Sequence, residues 1–482
     1  MEYSIADYIN LSWLYWIMVT IYAITILSII AIVLSENRNP VKSLAWVTVL
    51  LLLPAVGLVL YIFFGRSIKN THMISRRNRR RLKRSNKIKS SDIVPIHLSP
   101  ESAQQIKLTR SLNGSRYHSN NNIKIYTNGK EKFDNLKNDL LQAQEYINVQ
   151  YYIFEDDKIG TEIKDILIKK AQEGVKVRVI YDHVGSIGTK NRFFNEMKKS
   201  GIMVHPFFKV SFPPFGTRIN WRNHRKLCVI DGQIGYLGGM NIADRYLDGG
   251  KFDTWRDTHV RVTGSILAAL QYSYAIDWNF MGQSLLEEES SSIKPTESGN
   301  NIGMQFITSG PTDQWSNIAL VFLKAISNAK RSILIQTPYF LPTESLLKAL
   351  QSAALANVKV RIMLPRHSDS NILRYASYSY INECMKSGIK FYLYDAGMLH
   401  CKTIIIDNEF STIGSTNFDF RSFEHNFECN LLIYSQQVNM QMREIFAEDL
   451  KHCTPIDRKT WSKRPITQKF MESITRLLSP IL

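Results

Sequence analysis

The alternation of apolar and polar positions divides the chain into three regimes. Residues 11–34 ("LSWLYWIMVTIYAITILSIIAIVL") and 44–64 ("LAWVTVLLLLPAVGLVLYIFF") are apolar runs with no charged residue. Each is long enough, as a helix, to cross a hydrocarbon core ~30 Å thick. Trp13, Tyr15, Trp16, Trp46 and Tyr61 fall near the ends of these runs, where aromatic rings anchor spans at the interface, and Pro54 predicts a kink in the second. The first ten residues contain Glu2 and Asp7 but no Lys or Arg, which argues against a cleaved signal peptide. Residues 1–65 are therefore expected to form two transmembrane helices, and 66–119 a basic juxtamembrane linker. From residue 120 onward, short β-branched runs alternate with helical-period stretches, as in an α/β architecture.

That third regime is internally repeated. "INVQYYIF" (147–154) resembles "ILIQTPYF" (333–340), "VKVRVIYD" (175–182) resembles "VKVRIMLP" (358–365), and "EMKKSGI" (196–202) resembles "ECMKSGI" (383–389). These pairs are offset by 183 to 187 residues. The expected fold is two pseudo-symmetric α-β-α halves, 120–290 and 302–482, separated by "EEESSSIKPTESGNN" (287–301), which has linker composition. An insertion rich in Phe, Pro and Gly, "KVSFPPFGTRI" (209–219), interrupts the first half and is read as an apolar lip or a packed surface loop.

Charge refines the picture. Of the net +18, eleven Lys and Arg lie between Arg66 and Lys89 with no acid among them. A polybasic run directly after an apolar span favours anionic headgroups by about 1 kcal/mol per residue near the surface, and by the positive-inside rule places the C-terminal part in the cytoplasm. This placement argues for a membrane partner over nucleic acid. The five cysteines show neither metal spacing nor disulfide density, so no metal and a reducing compartment are expected.

The chemistry sits in a second repeat. "HRKLCVIDGQIGYLGGMN" (224–241) and "HCKTIIIDNEFSTIGSTN" (400–417) share His224 with His400, Lys226 with Lys402, Asp231 with Asp407, Gly238 with Gly414, and Asn241 with Asn417. Alternation on a strand puts each His and its Lys on one face, at the mouth of a buried apolar run. If the halves pack about a pseudo-two-fold axis, two imidazoles and two ammonium groups converge on one site. Such a set suits a phosphodiester: lysines neutralise non-bridging oxygens, Asn241 and Asn417 donate hydrogen bonds, one histidine attacks, and the other exchanges protons with the leaving and entering oxygens. Each imidazole needs a group that fixes its tautomer. Asp257 in "WRDTHV" and Glu428 in "HNFECN" stand 33 and 28 residues past their histidines and are each assigned to the histidine of the opposite half; ordinary ion pairing is the alternative. Asp231 and Asp407 point by parity away from the histidines and read as anchors for the loops leading to Asn241 and Asn417. His183, His205, His259, His367 and His425 need no functional role.

With these residues in view, the chain resembles the phospholipase D superfamily, whose signature H-x-K-x4-D-x6-G-x2-N both copies match. With its two N-terminal apolar segments and the tail "RLLSPIL" (476–482), it resembles bacterial cardiolipin synthases over nearly its whole length. The resemblance implies transfer of a phosphatidyl group between two phosphatidylglycerol molecules without a cofactor. It marks His224, Lys226, Asp231, His400, Lys402 and Asp407 as the catalytic set, with His224 as nucleophile and His400 as acid and base. Hydrolytic phospholipase D, another phosphatidyltransferase, a tethered nuclease and a lipid-binding protein with a retired site are the alternatives. Finally, Ile466, Phe470, Ile474, Leu477 and Leu478 share one helical face near the C-terminus. Such a stripe either rests on the membrane or docks on its own domain, and the second is the expectation here.

Overall fold

The computed structural model describes residues 5–35, 40–61, 72–85, 98–210, 220–286 and 302–479. Contacts divide the chain into two compact units, Met1–Ser67 with Val210–Asn220, and Ile68–Lys209 with Trp221–Leu482.

In the first unit, the helix Ile5–Ser35 contains Ser12–Ala31, which among the described residues is the one stretch that is helical, apolar and long enough to cross a membrane. The second apolar run is not one helix. It forms Pro40–Leu52 and Pro54–Leu60, with Leu53 out of helical conformation between them. The cause is Pro54, whose ring disfavours the helical conformation of the residue before it. The expected second span, kinked at Pro54, is thus corrected to two short helices, and residues 62–64 of that run lie outside the described residues. Ile26, Leu50 and Tyr61 bury one another, and the Trp46 ring meets Tyr61 edge-on at 5.3 Å, so the helices of this unit touch through apolar side chains. The tip of the proposed lip, 211–219, also lies outside the described residues.

The second unit is built on one continuous sheet whose strand order mirrors itself about the antiparallel pair His118–Tyr126 and Ile302–Ser309. Outward from that pair on one side run His259–Gly264, Ile234–Gly238, Leu227–Ile230, Tyr146–Tyr151, Lys176–Asp182 and Met203–Phe207. On the other run Asn426–Tyr434, Phe410–Gly414, Thr403–Ile406, Ser332–Gln336, Lys359–Pro365 and Lys390–Tyr394. Strands next to the joint are antiparallel and the outer ones parallel, as the repeated strand–helix pattern requires. Helices such as Lys158–Gln172 and Asn371–Lys386 cover one face, where Ile163, Leu167 and Ile381 are buried among Val149 and Ile335. Leu267–Phe280 and Gln436–Leu450 cover the other, burying Tyr274, Trp278, Met442 and Phe446. Short polar side chains cap the helix starts. Asn128, Asp157, Ser370 and Ser435 each accept from a backbone N–H in the first turn.

The segment 66–119 is not a bare tether along its described length. Arg76–Ser85 is a helix that keeps its arginines exposed while burying Leu82 in the cluster of Trp278. Pro100–Asn113 is a second helix, and Gln105 on it donates to the Val321 carbonyl at 2.9 Å, tying it to the second half.

Asp231 and Asp407 turn back at the ends of their strands with φ near +50° and +49°. Asp231 accepts from the backbone N–H groups of Gln144, Glu145 and Tyr146 at 2.7, 2.8 and 2.8 Å, and Asp407 from Lys330, Arg331 and Ser332 at 2.9, 2.7 and 2.9 Å. They anchor the turns that enter the neighbouring strands. Their contacts are thus with the turns before Tyr146–Tyr151 and Ser332–Gln336, which corrects their assignment to the loops of Asn241 and Asn417. Each carboxylate satisfies three donors at once, so Asp231→Ala is expected to cost about 3 kcal/mol of stability. Denaturant unfolding of the variant checks this, and a loss below about 0.5 kcal/mol contradicts it.

Candidate active site

His224 and His400 line one cavity of about 250 Å³. The backbone that holds them differs from the strand mouths expected from alternation. The ladders begin only at Leu227 and Thr403, and residues 224–226 and 400–402 are lead-ins held by the opposite half. Arg222–Asn223 pairs in parallel with Asn426–Phe427, and Met398–Leu399 pairs with Trp255–Arg256. The His224 N–H donates to the Phe427 carbonyl at 2.9 Å, and the His400 N–H to the Arg256 carbonyl at 2.7 Å. Those carbonyls belong to the residues just before Glu428 and Asp257. Aligning the two backbones therefore delivers each carboxylate to the imidazole of the other half.

His224 Nδ1 lies 2.9 Å from Glu428 Oε1, and His400 Nδ1 lies 2.7 Å from Asp257 Oδ2. Lys402 Nζ is also 2.7 Å from His400 Nδ1. An ammonium only donates and a carboxylate only accepts, so the ring proton on Nδ1 belongs to the Asp257 contact. With Nδ1–H committed in both rings, each Nε2 keeps its lone pair, and neither Nε2 is hydrogen-bonded among the described residues.

The two carboxylates are held differently. Glu428 accepts from the Ser415 hydroxyl and from Asn426 Nδ2 at 3.2 Å. Asp257 accepts from its neighbour's N–H, Thr258, at 2.7 Å and has Lys402 Nζ at 3.8 Å. The position matching Ser415 is Gly239, where a Cβ would stand only 2.1 Å from Asp257 Oδ1, so the first half gives up the hydroxyl to let the carboxylate in. Lys226 Nζ donates to the His224 carbonyl at 2.6 Å, and Lys402 Nζ bonds the His400 carbonyl, so both amines sit buried beneath the imidazoles. Asn241 and Asn417 both line the cavity; Asn241 Nδ2 donates to the Tyr246 hydroxyl at 3.0 Å.

Several residues at the site escaped sequence reasoning. Tyr152 meets the His224 ring edge-on at 4.8 Å, and Trp255 lies 5.6 Å from the His400 ring. Arg222, Arg245 and Arg421 line the cavity with positive charge. Two buried networks support the lead-ins: Gln150 and Arg225 meet on Asp277, and Gln336 and Arg256 meet on Asp449. Gln150 and Gln336 fall at matching places in "INVQYYIF" and "ILIQTPYF", so the repeat contained their signal. Arg245 and Arg421 likewise fall at matching places, four residues past Asn241 and Asn417, while Arg222 has no counterpart in the second half.

Burial dominates the protonation states. It pushes His224 down to about 4 against the upward pull of Glu428, and it lowers His400, with Lys402 adding to the effect. It also pulls Lys226 down to about 7. Burial alone would raise both carboxyls, but Lys402 and His400 hold Asp257 below its ordinary range, and His224 and Lys226 do the same for Glu428. The site thus presents two neutral imidazoles on two carboxylates.

The family model described as "Cardiolipin synthase, PLD-like domain" matches residues 136–262 and 322–450, and one described as "Phospholipase D-nuclease N-terminal" matches 23–66. The major cardiolipin synthase ClsA of Bacillus subtilis (strain 168) is 38% identical over 471 residues, spanning 96% of this chain and 98% of its own. The cardiolipin synthase of Oceanobacillus iheyensis is 38% identical over 483 residues with the same coverage. The chain belongs to the cardiolipin synthase family. Among solved structures, the phosphatidylserine synthase of Haemophilus influenzae Rd KW20 superposes with a TM-score of 0.61, covering 79% of this chain and all of that one at 15% identity. That likeness extends the shared fold beyond the cardiolipin synthase family.

A depressed imidazole pKa has a definite sign. His224 stays neutral in the folded state down to about 4, while an unfolded imidazole takes up its proton near 6.5. The stability it contributes is therefore complete above pH ~6.5 and lost as pH falls toward 4. NMR titration with labelled histidine is expected to find His224 neutral at pH 6 and a still lower pKa in Glu428→Gln, which removes the upward pull. A value of 6 or above for the native ring contradicts the burial argument.

Proposed function

We propose that the chain transfers a phosphatidyl group from one phosphatidylglycerol to another, forming cardiolipin and releasing glycerol. The observation that carries this reading is the pair of neutral imidazoles facing one cavity, each with Nδ1 held by a carboxylate of the opposite half and Nε2 free. The relatives' names point to the same reaction, and the cavity's size suits a phosphoglycerol headgroup, leaving the acyl chains outside.

His224 Nε2 attacks phosphorus, and the bond from phosphorus to the headgroup oxygen breaks. His400, protonated when the bound anion raises its affinity for a proton, gives that proton to the departing glycerol oxygen. The phosphatidyl group then rests on His224. A hydroxyl of the second phosphatidylglycerol loses its proton to His400 and attacks phosphorus, the P–N bond breaks, and both rings return to their starting state. Lys226, pulled down to about 7 by burial, is fully protonated as the phosphodiester's charge arrives, and it and the Lys402 ammonium neutralise the oxygens from beneath the rings; Arg222, Arg245 and Arg421 make the cavity positive. Asn241 and Asn417 contact the same oxygens. Asp257 and Glu428 hold the tautomers and stabilise the imidazolium that forms on each opposite ring.

Purified protein given labelled phosphatidylglycerol as sole lipid is expected to yield cardiolipin and glycerol in equal amounts, and His224→Ala to reduce this by roughly 10³-fold or more. Phosphatidic acid as the main product means hydrolysis and overturns the transfer reading.

We also infer that the chain is anchored in the cell membrane by both apolar segments, as a hairpin bent at Pro54, with the catalytic unit in the cytoplasm. The charge-free runs 11–34 and 44–64 and the basic segment after them support this. A cysteine at position 37 is expected to react with an impermeant reagent in intact cells, and one at 84 only after permeabilisation. The reverse pattern contradicts the orientation.

A further inference from the structure

The C-terminal helix Ile466–Leu477 is mounted inside out. Its polar face is the buried one: Glu472 is 2% and Thr475 4% exposed, and Ser479 just beyond the helix is also buried. Arg464 clasps Glu472, with Nη2 at 2.6 Å. Arg476 donates to Glu383 at 2.7 Å and stacks over the Tyr380 ring at 4.3 Å, fixing the helix on Asn371–Lys386. The opposite face carries Ile466 at 81%, Phe470 at 63%, Ile474 at 40% and Leu477 at 81% exposure. The expectation that this stripe docks on its own domain is therefore overturned. The ion pair that docks the helix is Arg476 with Glu383, while Arg464 covers Glu472 within the segment, and the apolar side faces outward.

An apolar face of this kind costs free energy in water unless something covers it. The charge beside it says what does. Residues 458–478 hold Arg458, Lys459, Lys463, Arg464, Lys469 and Arg476 against the single acid Glu472. Arg464 and Arg476 are committed to their ion pairs, while Arg458, Lys459, Lys463 and Lys469 form none among the described residues. Apolar side chains flanked by unpaired cations match an anionic bilayer surface, with chains at the acyl boundary and ammonium groups among headgroup phosphates. A protein partner would need acids around an apolar groove.

We propose that this helix is a second membrane contact, an interfacial helix that lies in the headgroup region of an anionic bilayer and holds the catalytic unit against its lipid substrate. The contact itself does not depend on the reaction; only its effect on turnover rests on the proposed phosphatidyl transfer.

The test uses the full chain in nanodiscs, with Cys453→Ser to remove the one cysteine that is not buried and a nitroxide attached through Phe470→Cys or, as control, Lys451→Cys, exposed at the end of the helix Gln436–Leu450 on the other face of the sheet. With phosphatidylglycerol in the discs, the label at 470 is expected to gain accessibility to oxygen and lose it to an aqueous nickel reagent by at least three-fold relative to that at 451. Discs of neutral phosphatidylcholine are expected to weaken the contrast. Equal exposure of both labels to the nickel reagent in anionic discs overturns the proposal. So does protection at 470 that appears in lipid-free detergent and rises with protein concentration, which means a second copy covers the face. A triple variant Phe470→Ser, Ile474→Ser, Leu477→Ser is expected to lose at least ten-fold in rate on vesicle substrate while keeping its rate on a short-chain, dispersed phosphatidylglycerol. Equal loss on both substrates overturns the functional half of the proposal. Failure of transfer itself, with the depth contrast intact, bears on the reaction alone.

Discussion

A neutral imidazole buried beside an amine is useful only if something fixes which nitrogen carries the proton, and here that something comes from the other half of the molecule. Glu428 reaches His224 and Asp257 reaches His400 because the lead-in to each histidine is laid alongside the strand that ends at the opposite carboxylate. Backbone pairing and side-chain pairing are the same act. Neither half alone contains a histidine with its partner, so the site is created by the docking of the halves across the central sheet joint. The buried ion pair of Arg256 with Asp449 crosses the same boundary, which makes the junction polar and specific in geometry, at a desolvation cost that apolar packing elsewhere offsets.

The duplicated site is not symmetric in its details, and a two-role reaction needs that. Ser415 and Asn426 add hydrogen bonds to Glu428, whereas Gly239 leaves Asp257 to share its charge with Lys402. The ring of His224 is thus held by a carboxylate engaged chiefly with neutral donors, and that of His400 by one competing with a nearby ammonium. Different electrostatic surroundings for two chemically identical groups are the usual means of separating a nucleophile from an acid and base.

Legibility from sequence followed the range of the interactions. The α/β class, the mirrored halves and the paired motifs were readable because they repeat, and repetition shows in one chain without knowledge of its contacts. Cross-half assignment of Asp257 and Glu428 needed only the added premise of pseudo-symmetry, and the geometry places both carboxylates on the opposite rings. What failed was local extrapolation. Alternation extended the motif strands back to the histidines, although those residues pair with the other half. Parity correctly turned Asp231 and Asp407 away from the cavity, yet it could not reveal which turn they cap. Pro54 was read as a kink in one helix and instead separates two short ones. The Ile466–Leu477 stripe was read with its apolar side inward, since sequence cannot show that Arg464 covers the helix's own Glu472 or that Arg476 finds Glu383 beneath the helix. Arg245 and Arg421 stand at matching places four residues past Asn241 and Asn417, so the repeat held their signal and it was passed over, whereas Arg222 has no counterpart in the second half.

The proposed chemistry requires one site assembled from the two halves of a single chain. Co-reconstitution of His224→Ala protein with His400→Ala protein tests that most directly. Each chain then lacks one of the two rings in its own cavity, and the mixture is predicted to be as inactive as either variant alone. Recovery toward a quarter of native activity would mean that the histidines meet between chains, and would contradict it.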